Sequence, residues 1–410
     1  MAKTLFANGR ILPCERVEQT PFDGDILVDG DRIVEVRPGR IAVSADTHVV
    51  DLAGATVMPG LGDAHVHFGQ PLDFEYDYGG LIACEPEDAA LATAGVARQY
   101  IEHGITTCVS GGIAQPRGDV ALKKVIELGW ALGPRMLAGG GMISDPDGIP
   151  AAFMPSTVEG IRRAVAEQCE MGVEVIKMFL SGETVMPPGA PDIPVDHTFP
   201  SEELVEAAVD EAAKYGAFVH SHSRGAKSVT LAAKCGVRLI SHASYIDDEG
   251  LAALKARDDV WVCPGLHYMW AMPNVAAEPY ATLGKPYAKE YADALGTVSR
   301  LAAAGIRLLP GGDYGHVWLP HGEAAKDLQE FVDHCGMSAR QALISGTNLF
   351  GGLTGMKVGQ LRPGYFADML IVDGDPTGDI TLLQEKARRR AVVKGGAVAW
   401  INPERVAVLA

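Results

Sequence analysis

The feature that most constrains the fold is an alternation of short apolar runs and amphipathic segments between residues 57 and about 350. The runs have the length of β-strands, and the segments between them repeat apolar residues with the helical period. Strands that alternate with helices form parallel sheets, because each helix carries the chain back to the start of the next strand. Strands that are almost continuously apolar also indicate burial on both faces.

Eight such units are predicted. The strands are expected at 57–66, 105–110, 134–138, 173–180, 217–221, 238–243, 260–264 and 306–311, and the helices at 85–103, 120–132, 158–171, 201–215, 226–235, 247–256, 289–304 and 322–335. Eight βα units predict an α/β fold of the (β/α)8 or TIM barrel type. A doubly wound open sheet is the alternative, and the lack of a GxGxxG motif after an early strand argues against it.

Both ends of the chain carry short strands separated by turns instead. Residues 25–28 and 32–36 flank Asp29-Gly30-Asp31 and predict a hairpin, and further strands are expected at 367–373 and 390–400. We therefore predict a small β-sandwich domain built from residues 1–56 and 357–410. The barrel of residues 57–356 would be inserted into it.

Composition excludes several classes of partner. A net charge of −17 argues against nucleic acid and against an anionic membrane surface. The seven cysteines are widely spaced, without a CxxC motif, and do not suggest a disulfide framework. The first ten residues have no signal-peptide pattern, and no apolar run is long enough to span a bilayer. A cytoplasmic protein that acts on a small molecule is expected.

Active-site groups of a barrel lie at the carboxyl ends of its strands. Five of the eight predicted strands carry nitrogen or oxygen donors there: His65 and His67, Lys177, His220 and His222, His242, and Asp313. Alternate residues of a strand share a face, so the two histidines of each His-x-His pair point the same way. Each donor alone also has an ordinary structural interpretation, such as a hydrogen-bonded histidine or a capping aspartate.

Lys177 is the hardest of these residues to explain as structure. It lies among Val, Ile, Met and Phe, where an unpaired ammonium group would be costly to bury. An acidic partner, a lowered pKa or a covalent modification would each remove the cost. A lysine that reacts with carbon dioxide becomes a carbamate, which can bridge two metal ions. Four histidines, a carbamate and an aspartate would then satisfy two divalent cations.

The chain resembles the amidohydrolase superfamily, and within it the imidazolonepropionase-like and Xaa-Pro or Xaa-Arg dipeptidase group, which includes ochratoxin-hydrolysing amidases. The matching stretches are 57–67 (VMPGLGDAHVH), 173–182 (VEVIKMFLSG), 240–247 (ISHASYID), 311–313 (GGD), 359–373 (GQLRPGYFADMLIVD) and 393–397 (VKGGA). The resemblance covers nearly the whole chain. It implies a metal-dependent hydrolase with a distorted barrel, and a homo-oligomer is common in that group.

The resemblance also implies roles for the donors. His65, His67 and Asp313 would bind the more buried of two divalent ions, for which zinc is suitable. Carbamylated Lys177 (N6-carboxylysine) would bridge both ions. His242 and one histidine of the fifth strand would bind the second ion.

Spacing alone cannot choose between His220 and His222, since they share a face of the strand. The resemblance favours His222, within His222-Ser-Arg-Gly225, where Arg224 replaces the second histidine of the group's His-x-His-Gly motif. His220 is the alternative ligand, or else a residue that orients one.

The implied chemistry is hydrolysis of an amide or lactam C–N bond, less often of an ester, by a metal-bridged hydroxide. Asp313 would act as general base and then as general acid. Tyr245 or His267 could stabilise the oxyanion, although packing is the better explanation of each.

Substrate selection is expected in the loops after the strands, at 70–79, 181–200, 267–270 and 316–321. Arg224 could pair with a substrate carboxylate or belong to a structural salt bridge, and Tyr268 and His316 could contact substrate. The expected substrates are N-acyl amino acids, dipeptides or aromatic amides.

Two other functions compete with a binuclear amide hydrolase. A mononuclear deaminase on the same fold would not need Lys177. A non-catalytic scaffold would not need the ligand positions to be filled.

Overall fold

The computed structural model describes residues 3–69, 85–113, 116–185, 192–278, 280–316 and 318–404. Within these ranges the chain forms three β-sheets and twelve α-helices, a mixed α/β fold. The strands are β1 (Thr4–Ile11), β2 (Phe22–Asp29), β3 (Arg32–Pro38), β4 (His48–Asp51), β5 (Thr56–Pro59), β6 (Leu61–Val66), β7 (Ile105–Ser110), β8 (Arg135–Leu137), β9 (Val175–Phe179), β10 (Phe218–Ser223), β11 (Leu239–His242), β12 (Trp261–Cys263), β13 (Arg307–Leu308), β14 (Met369–Val372), β15 (Arg389–Lys394) and β16 (Ala397–Ile401).

The helices are α1 (Pro86–Glu102), α2 (Gly118–Glu127), α3 (Val158–Glu170), α4 (Glu202–Lys214), α5 (Ala226–Lys234), α6 (Asp248–Lys255), α7 (Leu266–Val275), α8 (Tyr280–Leu283), α9 (Lys285–Ala303), α10 (Ala325–His334), α11 (Ala339–Gly346) and α12 (Leu349–Thr354). The eight helices predicted from periodicity are confirmed with shifted ends. Thr157, Ser201 and Asp247 cap the N-termini of α3, α4 and α6, because each side chain accepts a hydrogen bond from a backbone N–H of the first turn.

Helix α7 was not predicted, and its first turn was expected to be a loop. Its sequence, LHYMWAMPNV, is apolar almost throughout and therefore lacks the alternation that marks an amphipathic helix. The helix nevertheless forms because it is largely buried and packs against α9. His267 consequently lies on a helix, close to its N-terminus.

Two parallel sheets carry the predicted donor residues. One has the order β6-β7-β8, and the other follows the chain as β9-β10-β11-β12-β13. The strand register sets His220 beside Lys177, and Ser223 beside His242. Single bridges join the sheets at both ends, Gly139 to Val175 and Val66 to Tyr314. The carboxyl ends of strands from both sheets therefore meet at one place.

The terminal segments form one mixed sheet of eight strands, in the order β16-β15-β14-β5-β1-β2-β3 with β4 beside β1. The predicted β2–β3 hairpin is confirmed. The first predicted strand, 57–66, is in fact two strands: β5 pairs with β1 and β14, whereas β6 pairs with β7. Gly60 separates them where a Cβ would come within 2.2 Å of Thr106 Oγ1. The predicted loop 70–79 lies outside the described residues, as do residues 186–191 of the predicted loop 181–200.

Candidate metal centre

His65, His67 and Asp313 form a tight buried cluster at the end of β6. The Nε2 atoms of the two histidines are 3.2 Å apart. Asp313 Oδ1 lies 3.1 Å from His67 Nε2 and 3.8 Å from His65 Nε2. The backbone of Asp313 has a φ of 58°, an uncommon value for a residue other than glycine. The structure thus brings together the three residues that the family resemblance grouped around one ion.

A pair of glycines after β7 orients this cluster. His67 Nδ1 donates to the carbonyl oxygen of Gly112 at 2.8 Å, which orients the ring so that Nε2 faces His65 and Asp313. A Cβ on Gly111 would lie 2.4 Å from His65 Cδ2 and 2.8 Å from His67 Nε2. Sequence reasoning found no donor at the end of this strand and overlooked the glycines, although the adjacent Gly-Gly was a visible signal.

Lys177 lies in the middle of β9 and is fully buried. Its Nζ atom is 2.7 Å from His65 Nε2, so its hydrogen-bonding partner is a histidine nitrogen. Burial is the main influence on this amine and lowers the pKa of Lys177 to about 8, although the Asp313 carboxylate favours the charged form. The amine is therefore much easier to neutralise than that of an exposed lysine.

His222 and His242 form a second cluster, at the ends of β10 and β11. Their ring centroids are 4.6 Å apart, and the ring of His242 is 5.4 Å from that of His65. His222 Nε2 donates to the carbonyl oxygen of Gly182 at 3.2 Å, which leaves Nδ1 with the lone pair. Both ring nitrogens of His242 are buried, and within the described residues neither has a hydrogen-bond partner. An ion would satisfy such a nitrogen.

His220 uses both of its ring nitrogens within the protein. Nδ1 lies 3.4 Å from the carbonyl oxygen of Ser110, and Nε2 forms a short hydrogen bond with Ser241 Oγ. Because a carbonyl oxygen only accepts, Nδ1 carries the proton and Nε2 accepts from the hydroxyl. The thiol of Cys263 lies 3.3 Å from the same hydroxyl. Cys263, which borders this cluster, was not singled out from the sequence.

The electrostatics of the clusters suit metal ligands. Burial lowers the pKa of four histidines well below the usual value: His65, His220, His222 and His242. They are neutral near pH 7, which is the form that binds metals. Burial alone would raise the pKa of Asp313, but the neighbouring His67 and Lys177 lower it below its usual range, so the carboxylate is charged. Neutral imidazoles with a carboxylate fit a divalent ion such as zinc.

Arg224 is completely buried between two carboxylates. Its Nε atom is 2.5 Å from Glu183 Oε1, and one terminal nitrogen donates to Glu290 Oε1 at 2.8 Å. This geometry favours the structural salt bridge over the substrate contact. Neither glutamate was singled out from the sequence, because no short spacing relates residues 183, 224 and 290.

The remaining predicted site residues lie in the same region of the fold. The backbone N–H of Tyr245 donates to the carbonyl oxygen of Arg224 at 3.0 Å. His267 Nδ1 is 3.3 Å from Glu330 Oε1. The ring of Tyr268 is 5.7 Å from that of His316, which in turn stacks on Trp318 at 4.9 Å. These contacts do not test the oxyanion and substrate roles, which stay predictions.

Fold and site together define an α/β enzyme with a histidine-rich candidate metal centre at the ends of parallel strands. Residues 56–399 match the model of the Amidohydrolase family, and the chain belongs to that family. Members of this family generally use divalent metal ions. Among the residues described, no helix is long and apolar enough to cross a membrane.

Known proteins resemble the chain over most of its length. It is 29% identical to an ochratoxinase of Aspergillus niger, over 92% of this chain and 83% of that protein. A crystal structure of a prolidase complexed with N-methylphosphonate-L-proline superposes with a TM-score of 0.83 and 25% identity, covering 97% of this chain and 99% of the other. The structure of the A. niger ochratoxinase gives a TM-score of 0.81 and 24% identity, covering 97% and 95%. The chain is therefore a hydrolase that acts on carbon–nitrogen bonds.

Proposed function

We propose that the chain is a binuclear metal-dependent amide hydrolase. His65, His67 and Asp313 would hold one divalent ion, most suitably zinc, and His222 and His242 the other. Lys177, carboxylated on Nζ, would bridge the two. The observation that carries the proposal is the position of Lys177 Nζ, which is buried and 2.7 Å from His65 Nε2.

Carboxylation resolves the electrostatic problem that Lys177 poses. A protonated amine beside His65 would repel metal ions from the same site, and its burial is unfavourable. With a pKa lowered to about 8, the neutral amine is accessible near neutral pH. Its nitrogen forms a bond to the carbon of CO₂ and releases one proton, which gives a carbamate with one negative charge. A cationic side chain thereby becomes an anionic ligand on a long arm.

The chain's own residues supply the proton transfers. When bound, divalent ions lower the pKa of water and polarise a carbonyl group. Asp313 would accept the proton of the attacking water and later donate it to the leaving nitrogen. Tyr245 and His267 are the candidate donors for the developing oxyanion.

His222 is our choice of ligand from β10. Its Nε2 is used in the hydrogen bond to Gly182, so Nδ1 is available to an ion. His220 instead bonds to Ser110 and to Ser241 through its two nitrogens, which suits a residue that positions the strands around the site.

The proposed substrates are N-acyl amino acids, dipeptides or aromatic amides. An ochratoxinase and a prolidase complexed with a proline derivative are among the relatives. The adjoining rings of Tyr268, His316 and Trp318 offer aromatic surface near Asp313, whose charge acts on His316.

The finer architecture is part of the proposal. The bridges between Gly139 and Val175 and between Val66 and Tyr314 support closure of the two parallel sheets into a distorted (β/α)8 barrel within residues 57–356. We assign residues 1–56 and 357–410 to the β-sandwich domain. We also propose a cytoplasmic homo-oligomer, and the six described cysteines, which are free and buried, fit a reducing compartment.

Metal content per chain tests the proposal. The protein is purified without chelators and with bicarbonate, and analysed for metals beside its activity on N-acyl amino acids, dipeptides and aromatic amides. About two equivalents with amide hydrolysis are expected from a carboxylate-bridged pair of sites. One equivalent with ammonia release would favour the deaminase instead. Absence of metal, and of activity after zinc or manganese is added, would favour the scaffold.

A further inference from the structure

We infer that Arg224 is a positioning residue that locks the segment after β9 and thereby orients His222, and that it does not bind a substrate carboxylate. The inference rests on the proposed function, because it assigns Arg224 to the support of a proposed metal ligand. It is carried by a buried ion-pair network on one side of Arg224 and by backbone contacts on the other.

The ion-pair network ties three parts of the chain together. Arg224 follows β10, Glu183 belongs to the segment after β9, and Glu290 lies on α9. The guanidinium contacts both carboxylates, at 2.5 Å and 2.8 Å. Tyr287 also donates to Glu183 Oε1 at 2.9 Å, and the Ser244 hydroxyl forms a short hydrogen bond with Glu290. Losing the arginine would leave two buried carboxylates without their counter-charge, which is strongly unfavourable.

The backbone contacts connect this network to His222. The N–H of Arg224 donates to Ser181 Oγ at 3.0 Å, and its side chain pairs with Glu183. Gly182 lies between those two residues, and its carbonyl oxygen accepts from His222 Nε2. Arg224 therefore fixes the segment on both sides of the carbonyl group that selects the tautomer of His222. A carbonyl held in this way directs the Nδ1 lone pair of the imidazole toward an ion.

The exposure of the network shows which charge a substrate would meet. The side chain of Arg224 is 0% exposed and that of Glu290 is 1% exposed, whereas Glu183 is 15% exposed. Glu183 Oε2 also lies 3.8 Å from His222 Nε2, so it borders the metal cluster. The less buried group is therefore Glu183, and its ionised carboxylate repels an anionic substrate group. The positive charge of Arg224 is already balanced within the protein.

Glu183→Gln is the decisive variant because glutamine has the same shape as glutamate, and because the two possible roles of Arg224 predict different results for it. If Arg224 positions His222, the variant weakens the lock. It is then expected to lose part of its metal and to lower kcat by about 10- to 100-fold, as removal of ligand-orienting residues does. If Arg224 binds a substrate carboxylate, the same variant frees the guanidinium and should lower KM for a carboxylate-bearing substrate.

Arg224→Met and Arg224→Lys complete the experiment, with Arg300→Met as control, since Arg300 forms an exposed pair with Asp248. Metal content, kcat and KM are measured with an N-acyl amino acid and with its carboxamide, beside circular dichroism of each variant. Arg224→Met should lose metal and kcat alike for both substrates, and Arg224→Lys should recover part of each. The control should match wild type.

Two results would overturn the inference. One is full metal content in the Arg224 variants with a KM that rises only for the carboxylate-bearing substrate. The other is a Glu183→Gln variant with full metal content and an unchanged or lower KM. A wild-type protein that binds no metal would instead contradict the proposed function, so the two failures are distinguishable.

Discussion

The two ligand clusters are held in different ways. In the first, His65, His67 and Asp313 contact one another directly, with nitrogen and oxygen atoms 3.1 to 3.8 Å apart. In the second, the ring centroids of His222 and His242 are 4.6 Å apart, His222 Nε2 donates to Gly182, and the ring nitrogens of His242 have no hydrogen-bond partner among the described residues. The first cluster depends on one strand and the turn that carries Asp313. The second lies at the ends of two strands, and in our proposal the buried contacts of Arg224 orient its His222.

Candidate metal ligands can therefore be positioned in two ways: by direct contacts with one another, or by contacts with residues far away in the sequence. Lys177 is linked to both clusters: its Nζ contacts His65 of the first cluster, and its strand, β9, pairs with the strand that carries His222. Variants of Lys177 should therefore impair metal binding at both clusters, whereas variants of the other ligands should impair it at one cluster only.

Replacing Lys177 should have the largest effect. Lys177→Met removes the proposed bridging ligand of both ions but retains an apolar side chain suited to a buried site. Since changing a residue that merely orients a ligand costs about 10- to 100-fold, loss of the bridge should lower kcat/KM by more than about 100-fold. Metal analysis should show loss at both sites.

The control is Lys234→Met, because Lys234 is exposed and its described ion pair is with the exposed Glu249. Its metal content and activity should equal those of wild type. Full activity in Lys177→Met would show that the lysine does not bridge the two ions, and that it does not link the two clusters.

His222→Asn and His220→Asn should separate a ligand from a supporting residue. We expect His222→Asn to lose one ion and to fall in kcat/KM by about 100-fold or more. His220→Asn should keep both ions and lose about 10-fold, because His220 acts through its hydrogen bonds. The metal content of the two variants, measured side by side, shows which histidine is the ligand. The reverse pattern would make His220 the ligand.

The smallest effect is expected from Gly111→Ala, which acts on the first cluster alone. The new methyl group would overlap the rings of His65 and His67, so the variant should lose about 1–3 kcal/mol of folding stability and bind metal more weakly. Denaturant unfolding of the metal-free protein measures the first quantity, and competition with a chelator measures the second.

Gly95→Ala is the matched control, since Gly95 lies within α1 and a Cβ there meets nothing within 4 Å. It should stabilise the protein by about 0.4–1 kcal/mol by restricting the unfolded chain. If Gly111→Ala behaved in the same way, the close packing of backbone against the first cluster would be irrelevant to metal binding.

Much of the site could be predicted from local sequence. The period of two along a strand sets His65 and His67 on one side, and a lysine among apolar residues marks Lys177 as unusual. Periodicity also identified eight helices, whereas α7 was missed because an apolar helix has no amphipathic period. The split of residues 57–66 into β5 and β6 could not be predicted, since both strands are buried along their whole length.

The amino-acid order alone was enough to predict the parallel α/β pattern, the donors at the strand ends and the family resemblance, because these depend on residues within a few turns or strands. The folded structure was needed to distinguish His220 from His222, to show the contacts of Gly111 and Gly112, and to show what surrounds Arg224. Those properties come from contacts between residues far apart in sequence, such as Arg224 with Glu290 and His220 with Ser110. Such contacts exist only once the sheet registers and the helix packing bring the segments together.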